Sequence, residues 1–267
     1  MGQTNYSPIA IVVLLILSSC AEVPLTGRRQ VTLLPESQLI EMGFNGYREF
    51  MSEHSPSADR AMAARVETIG RNIAGAVEDY FRLNNIESRL EGYEWEFTLI
   101  DDDTPNAWAM PGGKIVVYSG ILPYTVDDDG MAVVIGHEIA HVVARHGNER
   151  MSQQLMVELG GIALSEAISE KPEETRELFL LAYGAGSHLG GLLPYSRRHE
   201  EEADRLGLIF MAMAGYNPEA AIPFWERMSS MGGVEPPEFL STHPSSRSRM
   251  RAMENFIPEA KGYMPER

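Results

Sequence analysis

His137-Glu138-Ile139-Ala140-His141 decides how this chain is read. It lies inside an apolar run, Met131 to Val143, whose pattern predicts a helix. Residues four apart on a helix stand one above the other on the same face. Two imidazoles so placed can share one zinc ion, and the glutamate between them points near the open side of such a metal. The flanks agree with a helix. Asp127, Asp128 and Asp129 suit a cap and first turn. Arg145 and His146 suit a last turn, and Gly147 is expected as a left-handed stop.

By itself the motif is equally compatible with two structural histidines and a surface glutamate. A catalytic zinc site uses three protein ligands and an open fourth position. A second histidine-rich continuation is absent, because Val142-Val143-Ala144-Arg145-His146-Gly147 follows. The third ligand is expected on the acidic helix His199-Glu200-Glu201-Glu202-Ala203-Asp204-Arg205-Leu206-Gly207, where three glutamates compete. Glu200 shares a face with Ala203, Asp204 and Gly207, and small residues there allow close packing, expected against Ala140 and Ala144. Asp204, one turn after Glu200, is placed to accept an imidazole N–H and orient a ligand.

Several blocks together carry a family resemblance. They are Thr26-Gly27-Arg28-Arg29-Gln30, Asn106-Ala107-Trp108-Ala109-Met110-Pro111-Gly112-Gly113-Lys114, and the zinc helix running into Ala144-Arg145-His146-Gly147. Further on come Leu193-Pro194-Tyr195-Ser196-Arg197, the acidic helix, Ala214-Gly215-Tyr216-Asn217-Pro218 and Ser241-Thr242-His243-Pro244. The chain resembles the HtpX/BepA/LoiP-type zinc metallopeptidases, relatives of the CAAX prenyl protease and of the mitochondrial Oma-type protease. The resemblance implies one zinc ion per chain, with His137, His141 and Glu200 as ligands and Glu138 as catalytic base. It implies a role for His243 too, either as a donor to the developing oxyanion or as a group that reaches the zinc and holds the enzyme off. Arg249 and Tyr195 are weaker candidates for the oxyanion donor.

The N-terminus gives an address. Ile9 to Leu17 is apolar but too short to span a bilayer, which needs roughly 20 residues. It suits the core of a secretory signal. Leu17-Ser18-Ser19-Cys20 looks like a bacterial lipobox, with cleavage before Cys20 and lipid on that residue. Cys20 is the only cysteine, so no internal disulfide is possible. No Lys or Arg precedes Ile9, a departure from the usual signal. Ala21 after the cysteine implies, by resemblance, the periplasmic face of the outer membrane.

The chain has 22 Lys and Arg against 38 Asp and Glu, a net charge of −16. That balance disfavours a nucleic-acid partner and attachment to anionic lipid by charge. Neither repeats nor low-complexity tracts occur, and oligomeric state is not legible. Three segments are expected: a signal at 1–19, a lipidated extended tether at 20–35, and one metallopeptidase domain at 36–267. Ser37 to Tyr80 is predicted helical with a break at Ser55-Pro56-Ser57. Tyr93 to Ile100 alternates with period two and reads as a strand; Lys114 to Tyr118 reads as a second, reached through a Pro-Gly-Gly turn. Leu178 to Ser196 carries no charge and reads as a buried or mobile cover rather than a membrane dip.

The fold class is therefore α+β: a mostly helical zincin-like (gluzincin) domain with a small β-sheet beside the H-E-x-x-H helix. Lys114, Val116 and Tyr118 are candidate substrate-binding residues, on the expectation that their strand is a sheet edge to which an extended peptide adds. Main-chain pairing tolerates many side chains, which suits unfolded or misassembled envelope polypeptides as substrates. The alternative is a lipid-anchored chaperone with a largely silent zinc site.

Overall fold

The computed structural model describes residues 20–187, 193–230, 239, 243 and 247–266. The signal segment 1–19, Thr242, Pro244 and the Tyr195 side chain lie outside them. The chain divides into two compact units, 1–36 with 145–198 and 37–144 with 199–267.

The larger unit holds the sheet. Helix α1 (Glu36–Glu53) and helix α2 (Arg60–Leu83) are separated at the expected Ser55-Pro56-Ser57 break. Asp59 caps α2 by accepting from the Met62 amide. One stripe of α2 is buried: Val66, Ile69, Ile73, Val77 and Phe81. It packs on strand β3 (Glu96–Ile100) and on helix α4 (Asp128–Val143). Strands β4 (Ala107–Met110) and β5 (Lys114–Tyr118) complete a sheet of order β3-β5-β4.

Here two expectations fail. The Ala107–Met110 segment is itself a strand, and Pro111-Gly112-Gly113 turns β4 into β5, not β3 into β5. Gly112 and Gly113 both take positive φ, 87° and 92°, which explains glycine at both positions. And β5 is the central strand, parallel to β3 and antiparallel to β4. Lys114, Val116 and Tyr118 therefore cannot accept an added strand, since both edges of β5 are already paired. Val116 is fully buried, and Lys114 spends its charge on Glu96, at 3.2 Å, and on the ring of Phe44. Among the described residues, the outer edge of β4 has no strand partner.

Helix α4 follows the short helix α3 (Leu122–Thr125) and begins at the expected acidic cap, with Asp127 accepting from the Gly130 amide. It stops earlier than expected. Ala144 is the C-cap, and Arg145 adopts φ 57°, the left-handed stop assigned above to Gly147. Gly147 instead lies in helix α5 (His146–Ala167). Every residue of α4 from Gly130 to Ala140 is buried, so the helix is a central rod rather than a surface element.

In the smaller unit the 20–35 segment is not extended throughout. Residues 20–35 contain a hairpin, β1 (Cys20–Glu22) against β2 (Arg29–Val31). Arg28 grips Glu149 of α5 through two hydrogen bonds of 2.9 and 2.6 Å, and the Leu33 amide donates to Ser152. These contacts pin the segment, where an extended tether would need none. Helix α6 (Glu173–Ser187) exposes Leu178, Phe179 and Leu181, so this part of the uncharged stretch is not buried. The stretch from 188 to 192 lies outside the described residues. No helix among the described residues is long and apolar enough to cross a membrane.

Helix α7 (Leu193–Met213) carries the acidic motif. Asn217 then caps a short 3-10 turn begun by Pro218, and helices α8 (Ala221–Ser229) and α9 (Arg247–Lys261) belong to the larger unit. A Cβ on Gly207 of α7 would lie 2.8 Å from the His137 amide nitrogen, and one on Gly136 would lie 2.9 Å from the Gly207 carbonyl oxygen. The helices thus meet backbone to backbone at Gly136, one turn before the Ala140 expected at the contact. Gly207→Ala should lower stability by about 1–3 kcal/mol through overpacking and weaken metal retention with it. Denaturant unfolding with and without a chelator checks this; unchanged stability would show that the helices are free to separate.

Candidate metal centre

The crossing of α4 and α7 brings the predicted donors together. His137 and His141 stand one turn apart on α4, and Glu200 faces them from α7. His243 comes from the segment before α9, held by its amide donating to the Phe239 carbonyl. One ligand atom from each of the four lies within 4.8 Å of the others.

The contacts are close. His141 Nε2 is 3.0 Å from His137 Nε2, which is 3.1 Å from His243 Nδ1. Glu200 Oε2 lies 2.9 Å from His243 Nδ1 and 3.4 Å from His137 Nε2, and Oε1 lies 3.4 Å from His141 Nε2. Glu138, buried beside them, has Oε1 3.4 Å from His243 Nε2. Asp204 stands behind His137, with Oδ1 3.1 Å from Nδ1, although the approach is not aligned as a good hydrogen bond. Of the three competing glutamates, Glu201 is exposed and Glu202 is absent from the cluster.

This arrangement fits a zinc ion. With Asp204 favouring a proton on Nδ1 of His137, the Nε2 lone pair turns inward. Several inward lone pairs and a carboxylate, all buried but for the partly exposed His141, repel one another unless a proton or a cation sits between them. Two imidazoles and a carboxylate are a common zinc donor set. The titration shifts have the same origin. Burial works against charge on His137, but Asp204 and Glu200 outweigh it and hold the imidazole above its ordinary value. Burial likewise opposes ionisation of Glu200, and the three histidines hold it well below the usual carboxylate range.

Two residues were not given their place by sequence reasoning. Arg249 was expected near a reacting oxygen, but its guanidinium is bound to carboxylates: Nε and Nη2 to Asp204 at 2.5 and 2.8 Å, and Nη1 to Glu200 at 3.2 Å. Trp225 of α8 lies under that guanidinium at 4.3 Å. No local pattern marks Trp225, because an aromatic on an amphipathic helix reads as core. His146, expected in the last turn of α4, instead opens helix α5 and is buried. The side chain of Cys20 lies outside the described residues.

The description "Peptidase family M48" matches residues 31–257. The chain belongs to peptidase family M48. It is similar to the mitochondrial metalloendopeptidase OMA1 of Schizosaccharomyces pombe, 36% identical over 244 residues, covering 90% of this chain and 67% of that protein. It is similar to human OMA1, 30% identical over 245 residues, covering 89% of this chain and 46% of the relative. The β-barrel assembly-enhancing protease of Escherichia coli is 30% identical over 165 residues, covering 60% of this chain and 34% of that protein. The chain thus spans about two thirds of the yeast relative and under half of the other two. M48 peptidases use zinc, and this M48 chain carries a donor set that could hold it.

Proposed function

We propose that this M48 zinc metalloendopeptidase works in the bacterial cell envelope, anchored by lipid on Cys20, and degrades misfolded or misassembled polypeptides. The convergence of His137, His141, Glu200 and Glu138 in one buried cluster carries the reading. His137, His141 and Glu200 are the ligands. A bound zinc supplies Lewis-acid chemistry there, activating a water and polarising the scissile carbonyl.

Glu138 is the general base. Its carboxylate takes the proton of the attacking water and delivers it to the leaving amine. Asp204 fixes the tautomer and direction of His137. The substrate strand adds to the edge of β4 that has no strand partner among the described residues, beside α4, in place of the β5 edge expected from sequence. Pairing through main chain demands an extended segment and little sequence, which favours unfolded substrates.

The address rests on Leu17-Ser18-Ser19-Cys20, the single cysteine and Ala21, which together support a lipoprotein of the outer membrane facing the periplasm. The name of the Escherichia coli relative accords with an envelope role. The other relatives named above are mitochondrial, so the compartment is argued from this chain's own N-terminus.

A chaperone with a silent zinc site is the second reading, and the position of His243 favours it. Its Nδ1 sits inside the donor cluster, where a water or a carbonyl would otherwise bind. In that arrangement His243 blocks the site.

Two variants separate these readings. With the purified full chain in detergent and casein as substrate, Glu138→Gln should keep one zinc and lose cleavage by about 10²–10⁴-fold. Undiminished cleavage by that variant would remove the base from Glu138. His243→Ala should raise cleavage of a short unstructured peptide. A fall of about 10²–10³-fold would instead make His243 the oxyanion donor.

A further inference from the structure

Arg249 is buried under the donor cluster, and each of its three guanidinium nitrogens approaches a carboxylate. The fork on Asp204 is two-pronged, the third nitrogen reaches Glu200, and the plane rests on Trp225. We propose that Arg249 is the positioning residue of the metal centre, holding Glu200 and Asp204 in their ligand and orienting geometries before zinc arrives. The proposal rests on the reading of His137, His141 and Glu200 as ligands.

The physical need is plain. Glu200 and Asp204 lie one turn apart on the buried face of α7, and both are almost wholly out of solvent. Two like charges so placed repel, and a buried carboxylate without a cation is strongly disfavoured. Zinc offsets this only when bound. In the metal-free protein the counter-charge must come from a side chain, and Arg249 is the buried arginine that touches both. Burial opposes its charge, yet Asp204, Glu200 and Glu138 outweigh that and hold its pKa above the ordinary arginine value. Asp204 is in turn held low by Arg249 against its own burial.

Direction matters as much as charge. Arg249 and His243 hold Oε2 of Glu200, so Oε1 turns to His141. Arg249 also fixes both oxygens of Asp204, and Oδ1 is the atom that faces His137. One planar guanidinium therefore sets the third ligand directly and the first through Asp204. Lysine carries the same charge as a single point and cannot make the fork, the third contact and the stack together.

A matched control exists on the same two helices. Arg205 of α7 forks onto Glu259 of α9 at 2.8 and 2.7 Å and lies over Phe256, outside the donor cluster. The test uses the full chain in detergent. Zinc affinity is measured by competition with a chelating indicator, the visible bands of the cobalt-substituted protein report ligand geometry, and melting in chelator reports stability. Arg249→Lys should weaken zinc at least tenfold and shift the cobalt bands. Arg205→Lys should leave zinc affinity within twofold, whatever it does to the melting temperature. Arg249→Lys with zinc affinity within twofold of the parent and unchanged cobalt bands would overturn the proposal while leaving the ligand reading intact. A parent that binds no zinc would overturn the ligand reading, and this inference with it. If Arg249→Lys does not fold, Trp225→Phe carries the test, since it keeps the fork and weakens its platform. Zinc affinity should then fall at least threefold, and an unchanged affinity would overturn the proposal.

Discussion

Helices α4 and α7 touch backbone to backbone at Gly136 and Gly207, and the site depends on that contact. Any side chain at either position would push the helices apart. Glu200 stands two turns before Gly207, and His137 and His141 follow Gly136 directly, so the close crossing sets the reach of one short carboxylate to two imidazoles. The remaining architecture serves that crossing. The stripe on α2 and the strand β4 wall α4 in from other sides, and burial along nearly its whole length leaves the helix little room to shift.

A second constraint is electrostatic. The chain is strongly acidic, with a net charge of −16, and it buries Glu138, Glu200 and Asp204 close together. Buried carboxylates without partners would be protonated or would unfold the site. Three imidazoles on one side and one guanidinium on the other keep Glu200 ionised. The guanidinium lies on the Asp204 side of Glu200, and His243 lies on the other, between Glu200 and Glu138.

Much of this was legible in the sequence, and the failures have physical reasons. The motif on α4, the acidic cap at Asp127, the cap at Asn217 and the choice of Glu200 are local. Each depends on spacing along one helix: the Asp127 cap forms as read, and Glu200 falls beside His137 and His141. Strand order is not local. Ala107 to Met110 is short, and its pairing with β5 depends on a turn whose glycines could equally serve another connection, so the sequence reads β5 as an edge. The left-handed stop falls on Arg145 although a glycine stands two residues away. The 20–35 segment looks like a tether because Arg28 finds its partner, Glu149, far along the chain. Arg249 was noticed but misassigned for the same reason: its partners lie more than forty residues away, and only the fold shows that its nitrogens are already engaged.

The most direct test of the account is the zinc content of four purified proteins: the parent, His141→Ala, Glu200→Ala and Glu201→Ala. Glu201 neighbours Glu200 in sequence but is exposed, so it separates a ligand from a merely acidic helix. The expected result is one zinc in the parent and in Glu201→Ala, with loss of zinc from the other two. Retention of stoichiometric zinc by Glu200→Ala, or its absence from the parent, would contradict the metal centre on which everything else here is built.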